Sequence, residues 1–133
     1  MIPLSPEPEA QLLAFARLWC SLVAKDEWER ALGMLDEPYH YGIEWTRESV
    51  VALLEDTFDE GTIFAAKYGR PRFSDPATAA GTERYYFGRT DHGTFWLDYD
   101  VPLNGSFSEL TAQFEFHPRG AELAAVLHDL HVM

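Results

Sequence analysis

Between Glu9 and Lys25, apolar residues recur at Leu12, Phe15, Trp19, Leu22 and Val23, with Leu13, Ala16 and Cys20 widening the stripe. That spacing predicts a helix with a broad buried face. Ser5, Pro6 and the acids after them give it a start signal. Asp26-Glu27-Trp28-Glu29 is a capping-box pattern and predicts a second helix, with Trp28, Ala31, Leu32 and Leu35 as its apolar side and Pro38 as its end. A third helix is expected from Thr46, with Val50, Leu53, Leu54 and Phe58 as its stripe and Gly61 closing it.

The period then changes. Thr62 to Tyr68 is a short apolar strand candidate, and Gly69 to Thr82, with two prolines and two glycines, predicts a long loop. Glu83–Arg89, Thr94–Val101, Glu109–His117 and Leu123–Met133 predict four strands separated by turn signals. Asn104-Gly105 is the strongest of those signals, because a tight hairpin turn needs positive φ at both central residues. Centring the turn there sets Tyr99 against Leu110, Leu97 against Ala112 and Phe95 against Phe114. Asp98 and Asp100 then share the other, polar face. A turn over Thr90-Asp91-His92, closed by Gly93, sets Phe87 against Phe95 and Tyr85 against Leu97. A turn over Pro118-Arg119-Gly120 places Ala124, Val126, His128, Leu130 and Val132 on the core side, unless a bulge at Gly120 reverses the face. The expectation is one α+β domain over residues 1–133, with three N-terminal helices packed on a curved, mostly antiparallel sheet of four to five strands.

Composition narrows the function classes. The chain has 133 residues, 47% of them hydrophobic and 14% aromatic, which excludes a chain too polar to bury a core. Ten Lys and Arg against 22 Asp and Glu give a net charge of −12. That argues against nucleic acid and anionic membranes as partners and favours basic ones. A single cysteine, Cys20, on an apolar helix face excludes an internal disulfide framework and reads as a buried small hydrophobe. The N-terminus lacks a secretion-signal pattern, so a cytoplasmic location is expected. Charge is unevenly distributed. Lys67, Arg70, Arg72, Arg84 and Arg89 face only Asp75 and Glu83 within 67–89, whereas Glu44, Glu48, Glu55, Asp56, Asp59 and Glu60 face only Arg47 within 44–60.

The element order, three helices and then a curved meander, resembles the nuclear transport factor 2-like fold, the cystatin-like α+β cone. Asp26 to Pro38 is similar to the second helix of that superfamily. The resemblance covers nearly the whole chain but rests on no diagnostic motif. It implies a concave sheet capped by helices, and a pocket in some members. Some members are isomerases, dehydratases or cyclases, and others are non-catalytic or dimeric. Asp98 to Gly105 and Leu127 to His131 also resemble small bacterial domains, some of which serve as immunity proteins beside toxins.

Two sets of candidate residues follow. Asp98 and Asp100, two apart on one strand, point to one side, as do Asp129 and His131 on the last strand. If these pairs meet, they form a carboxylate–imidazole face, with Trp96 as an aromatic anchor. Three carboxylates and one imidazole are a poor zinc donor set, so no metal and no cofactor are expected. In the cone implied by the resemblance, His128 would be the polar centre of a pocket walled by Tyr41, Trp45 and Tyr85. No phosphate loop, dinucleotide fingerprint or nucleophile elbow occurs, and no residue is singled out as catalytic. Two readings therefore compete. One is a non-catalytic module that engages a basic protein through an acidic surface, in the manner of an immunity protein. The other is a small-molecule pocket, serving a ligand carrier or an isomerase- or dehydratase-type enzyme. A homodimer through the outer sheet face is also possible.

Overall fold

The computed structural model describes residues 1–37, 44–58, 66–67 and 69–132. In chain order these form β1 (Ile2–Pro3), α1 (Pro8–Ala24), α2 (Trp28–Gly33), α3 (Arg47–Thr57), β2 (Tyr85–Arg89), β3 (Phe95–Leu103), β4 (Ser106–Arg119) and β5 (Glu122–Val132). The strands make one curled antiparallel sheet in the order β1-β5-β4-β3-β2, and the fold is α+β as expected. The expected strand over 62–68 falls almost wholly outside the described residues, and its two described members, Ala66 and Lys67, are helical. Pro38 and Gly61 also lie outside them; before those positions, α2 ends at Gly33 and α3 at Thr57.

The stripe of α1 is buried as its spacing requires: Leu12, Ala16, Trp19 and Cys20 are fully enclosed. Phe15 and Trp19 meet the sheet edge-on, with Phe15 5.2 Å from Phe116 and Trp19 5.6 Å from Phe114 between ring centres. These rings, with Leu97, Tyr99, Leu103, Leu110 and Leu127, fill the helix-covered side of the sheet. Thr46 caps α3 in a reciprocal box with Ser49. Asp26 does not cap α2. It adopts φ +59°, and its N–H bonds to Val23 O at 3.1 Å, so it ends α1 in the left-handed conformation. That geometry turns its carboxylate away from the first amides of α2, and the carboxylate accepts from Trp28 Nε1 instead.

The hairpin at Asn104-Gly105 is where the sequence places it, with φ +51° and +85°. Leu103 pairs with Ser106 and Pro102 with Phe107. A bulge near Val101 then advances β4 by two residues, so Tyr99 faces Ala112, Leu97 faces Phe114 and Phe95 faces Phe116. Ser108 anchors the bulge, donating to Val101 O and accepting from Leu110 N. A longer turn at 90–93 likewise moves the β2 register by two, to Tyr85 with Tyr99 and Phe87 with Leu97. Neither shift changes a face, because the side-chain period of a strand is two.

The last strand does change. Arg119 pairs with Glu122 across a two-residue turn, so Leu123, Ala125 and Leu127 point into the core, while Ala124 and Val126 point to the other face. A second bulge, opposite Gln113 and Phe114, absorbs His128 as the extra residue and restores the expected parity for Leu130 and Val132. The expectation for Ala124, Val126 and His128 is thus corrected, and that for Leu130 and Val132 stands. The outer edge of β5 is covered three times along its length. β1 pairs at Leu123 and Glu122, Asp36 brackets Ala125 with its own N–H and its carboxylate, and Trp45 Nε1 donates to Leu127 O at 2.7 Å. Such cover suppresses edge-to-edge aggregation.

Candidate binding surface

The uncovered face of β3, β4 and β5 collects the polar half of each alternating strand. Rungs across the sheet align Asp98, Gln113 and Asp129, then Asp100, Thr111 and His131, then Trp96, Glu115 and Val126. Asp98, Asp100 and Trp96 on β3 and Asp129 and His131 on β5 therefore share one face as expected, but β4 stands between the two groups and the pairs do not meet. Same-face neighbours along a strand are about 7 Å apart, and two strand spacings of roughly 4.8 Å separate β3 from β5.

Imidazole–carboxylate contacts stitch the face. His131 Nδ1 lies 3.0 Å from Asp129 Oδ2, and Glu115 Oε1 lies between His117 Nε2 at 3.4 Å and His128 Nδ1 at 3.8 Å. His128, expected within a pocket, stands half-exposed on this outer face because the bulge turned it there. Burial pushes the carboxyl group of Asp98 above its usual range. A hydrogen bond from Gln113 and the nearby His131 and His128 only partly oppose the shift. Asp100 is raised for the same first reason, against a hydrogen bond from Thr111 and the charge of Arg84. Both ionised carboxylates therefore lack part of their hydration and would gain from a cationic partner. Among the described residues no His, Cys, Asp and Glu cluster is poised to hold a metal ion.

Two aromatic rings flank the acids. Trp96 is only partly exposed, because its indole lies flat over Gly88; a Cβ on that glycine would sit 2.3 Å from Trp96 Cζ2. Tyr86, opposite Asp98, is the exposed ring, at 66%. The alternation of β2 puts Tyr86 on this face, and sequence reasoning passed over it.

The described members of the cone-pocket set, Trp45, Tyr85 and His128, do not converge. Tyr41 lies outside the described residues. Trp45 lines a hollow of about 230 Å³ with Leu32, Leu35 and Glu44, and Tyr85 donates its hydroxyl to Glu9 at 3.0 Å. His128 is on the opposite side of the sheet.

A second polar constellation went unnoticed in the sequence. Arg17 and Ser21 on α1, with Lys25 just past its end, border an open cleft of about 680 Å³ whose other wall is Asp75, Pro76, Ala77, Gly81 and Glu83. Arg17 grips Glu83 with two hydrogen bonds of 2.8 and 2.5 Å, and buried Tyr99 donates to the same carboxylate at 2.7 Å. Those bonds, the Arg17 one first, hold the Glu83 carboxyl below its usual range, while burial and Glu83 hold the Tyr99 phenol far above its own. Asp75 accepts from Ala77 N–H and Ser21 and faces Lys25 at 3.7 Å, which lowers its carboxyl too. Burial raises the Cys20 thiol beneath this cleft, which keeps it protonated and inert. The polar i, i+4, i+8 row on α1 was visible in the sequence, but its acidic partners are 54 and 66 residues away.

No helix among the described residues is long and apolar enough to cross a membrane. In comparisons with known proteins, no family model, curated protein or solved structure matches the chain.

Proposed function

We propose that this chain is a non-catalytic binding module whose open sheet face engages a basic protein, as an immunity-type protein engages a toxin. The observation that carries the reading is the pair Asp98 and Asp100, half-desolvated on β3, with Glu115 on adjacent β4 and Asp129 beyond it on β5. Carboxylates whose ionisation is already disfavoured by burial gain most from a Lys or Arg brought to them. Exposed Tyr86 adds a surface for cation–π contact at the rim. Among the described residues, Arg17, Lys25, Arg30, Lys67 and Arg119 are committed to internal ion pairs. The excess of acid therefore reaches solvent, and long-range steering of a basic partner follows from it.

Amide NMR during titration with a lysine-rich peptide tests this. Shifts are expected to concentrate on Asp98, Asp100, Gln113 and Asp129, to shrink on adding salt, and to fall in Asp98→Asn/Asp129→Asn. Shifts centred on the exposed acids of α3 (Glu48, Glu55 and Asp56) would remove the sheet face as the site.

A second reading rests on the cleft beside α1. Its volume of about 680 Å³ is in the range that holds small molecules, and its paired charges suit a small ligand that carries both signs. Loss of an induced NMR shift in Arg17→Met, with the sheet-face response unchanged, would assign a ligand to that cleft.

A further inference from the structure

The two edges of the sheet are treated differently. The β5 edge is covered by β1, Asp36 and Trp45, whereas among the described residues no strand pairs with the outer edge of β2. Arg84 O accepts from Asp100 N and Thr90 N donates to Thr94 O, so the even-numbered residues of β2 bond inward to β3. The N–H and C=O groups of Tyr85, Phe87 and Arg89 therefore point outward from the sheet. The strand has no proline or bulge and carries a lone exposed aromatic. Such an edge is a template for another strand.

We propose that the occupant is a second copy of this chain, paired antiparallel through β2 about a two-fold axis at Phe87. Self-complementarity carries the choice. In that register Phe87 faces its own copy, Tyr86 faces Gly88 of the partner copy, and Arg89 faces Tyr85. Gly88 has no side chain, and the Trp96 indole lies across it, so the incoming Tyr86 ring meets an aromatic floor in the gap. Tyr85 holds the Glu9 carboxylate at 3.0 Å, so the guanidinium of the partner's Arg89 arrives beside an acid. Arg84 comes opposite Thr90 of the partner copy. Arg89, which would otherwise blunt the edge, thus finds an opposite charge across it. About six backbone hydrogen bonds form, joining two five-stranded sheets into one. Pairing through the open sheet face, by contrast, would press Asp98 and Asp129 against their own copies. The edge dimer instead places both acidic faces on the same side of the joined sheet. It takes up Tyr86 of each copy in the edge contact and leaves Asp98, Asp100 and Asp129 open on those faces.

A five-residue ladder is short, so association is expected to be weak. Light scattering across protein concentrations from about 10 µM to about 1 mM should show the mass rise from 15.2 kDa towards twice that value. Tyr86→Lys, at an exposed position, should raise the dissociation constant about tenfold. Phe87→Cys, next to its own copy on the axis, should cross-link under oxidised glutathione, since Cα atoms of a bonded antiparallel pair are about 5.5 Å apart. Cys20 is fully buried and does not compete. Gln113→Cys, in the middle of the open face, should stay uncoupled. A mass of 15.2 kDa at every concentration overturns the proposal, as does cross-linking through Gln113→Cys in preference to Phe87→Cys, or an unchanged constant in Tyr86→Lys.

Discussion

Glu83 is the hinge of the polar cluster beside α1, and its removal should cost more than a surface carboxylate normally does. Glu83→Ala strips the buried Tyr99 hydroxyl of its acceptor and releases Arg17 from a two-bond grip. A buried hydroxyl left unsatisfied costs about 1–3 kcal/mol. The half-exposed Arg17 contact adds no more than about 1 kcal/mol, because water screens it. The expected loss is therefore about 1–4 kcal/mol, measured by urea unfolding with far-ultraviolet circular dichroism and tryptophan fluorescence as paired probes. Tyr99→Phe alone should lose about 1 kcal/mol. In the Glu83→Ala background it should lose nothing or gain, because the orphaned hydroxyl has gone. The coupling energy is then about 1–2 kcal/mol. The pH dependence has a definite sign. The Glu83 carboxyl is held below its unfolded value of 4.5, so its contribution is complete above that pH and disappears as the pH falls through the folded value. Coupling at pH 7 that vanishes in acid fits the structure. Additive single-variant losses, within about 0.4 kcal/mol at pH 7, would refute the claim that these residues act as one unit.

Two further substitutions probe the sheet face. Asp98→Asn should stabilise the protein at pH 7 by a few tenths of a kcal/mol, because burial raises the Asp98 carboxyl and ionising it costs the folded state. The gain should fade as the pH drops below the folded value and Asp98 itself becomes neutral; a gain that persists in acid would show that charge is not its origin. Gly88→Ala should destabilise by about 1–3 kcal/mol, since its methyl would collide with the Trp96 indole, and thermal melts should show Trp96→Leu recovering most of that loss.

The faces of β2 and β3 were legible in the sequence although their registers were not. Both register errors equal two residues, one side-chain period, so Leu97 and Phe114 stay in the core and Asp98 stays outside. On β5 the turn at Gly120-Ala121 moved the pairing by three, an odd number, and Ala124, Val126 and His128 changed sides. Turn length and bulge position decide parity, and both depend on contacts across strands that a local pattern does not encode. β1 was invisible for a related reason: two residues, one of them proline, have no period, and they pair only because the edge of β5 needs covering.

The candidate site divides along the same line. The acidic face was readable because its members alternate within single strands, where a period of two guarantees a shared side. The cluster of Arg17, Glu83 and Tyr99 was not, because it joins a helix, a loop and a strand that only the packed core aligns. Tyr99 shows why. Alternation assigns it to the core, and full burial confirms this, yet its hydroxyl must still find an acceptor. The helix-covered side of the sheet is otherwise lined by apolar groups, so the acceptor must come from where α1 crosses the end of the loop at Glu83. Arg17 then offsets the charge that the buried phenol draws inward. A tyrosine on an otherwise apolar strand face is therefore a sequence-level pointer to a polar group waiting at the rim of the core.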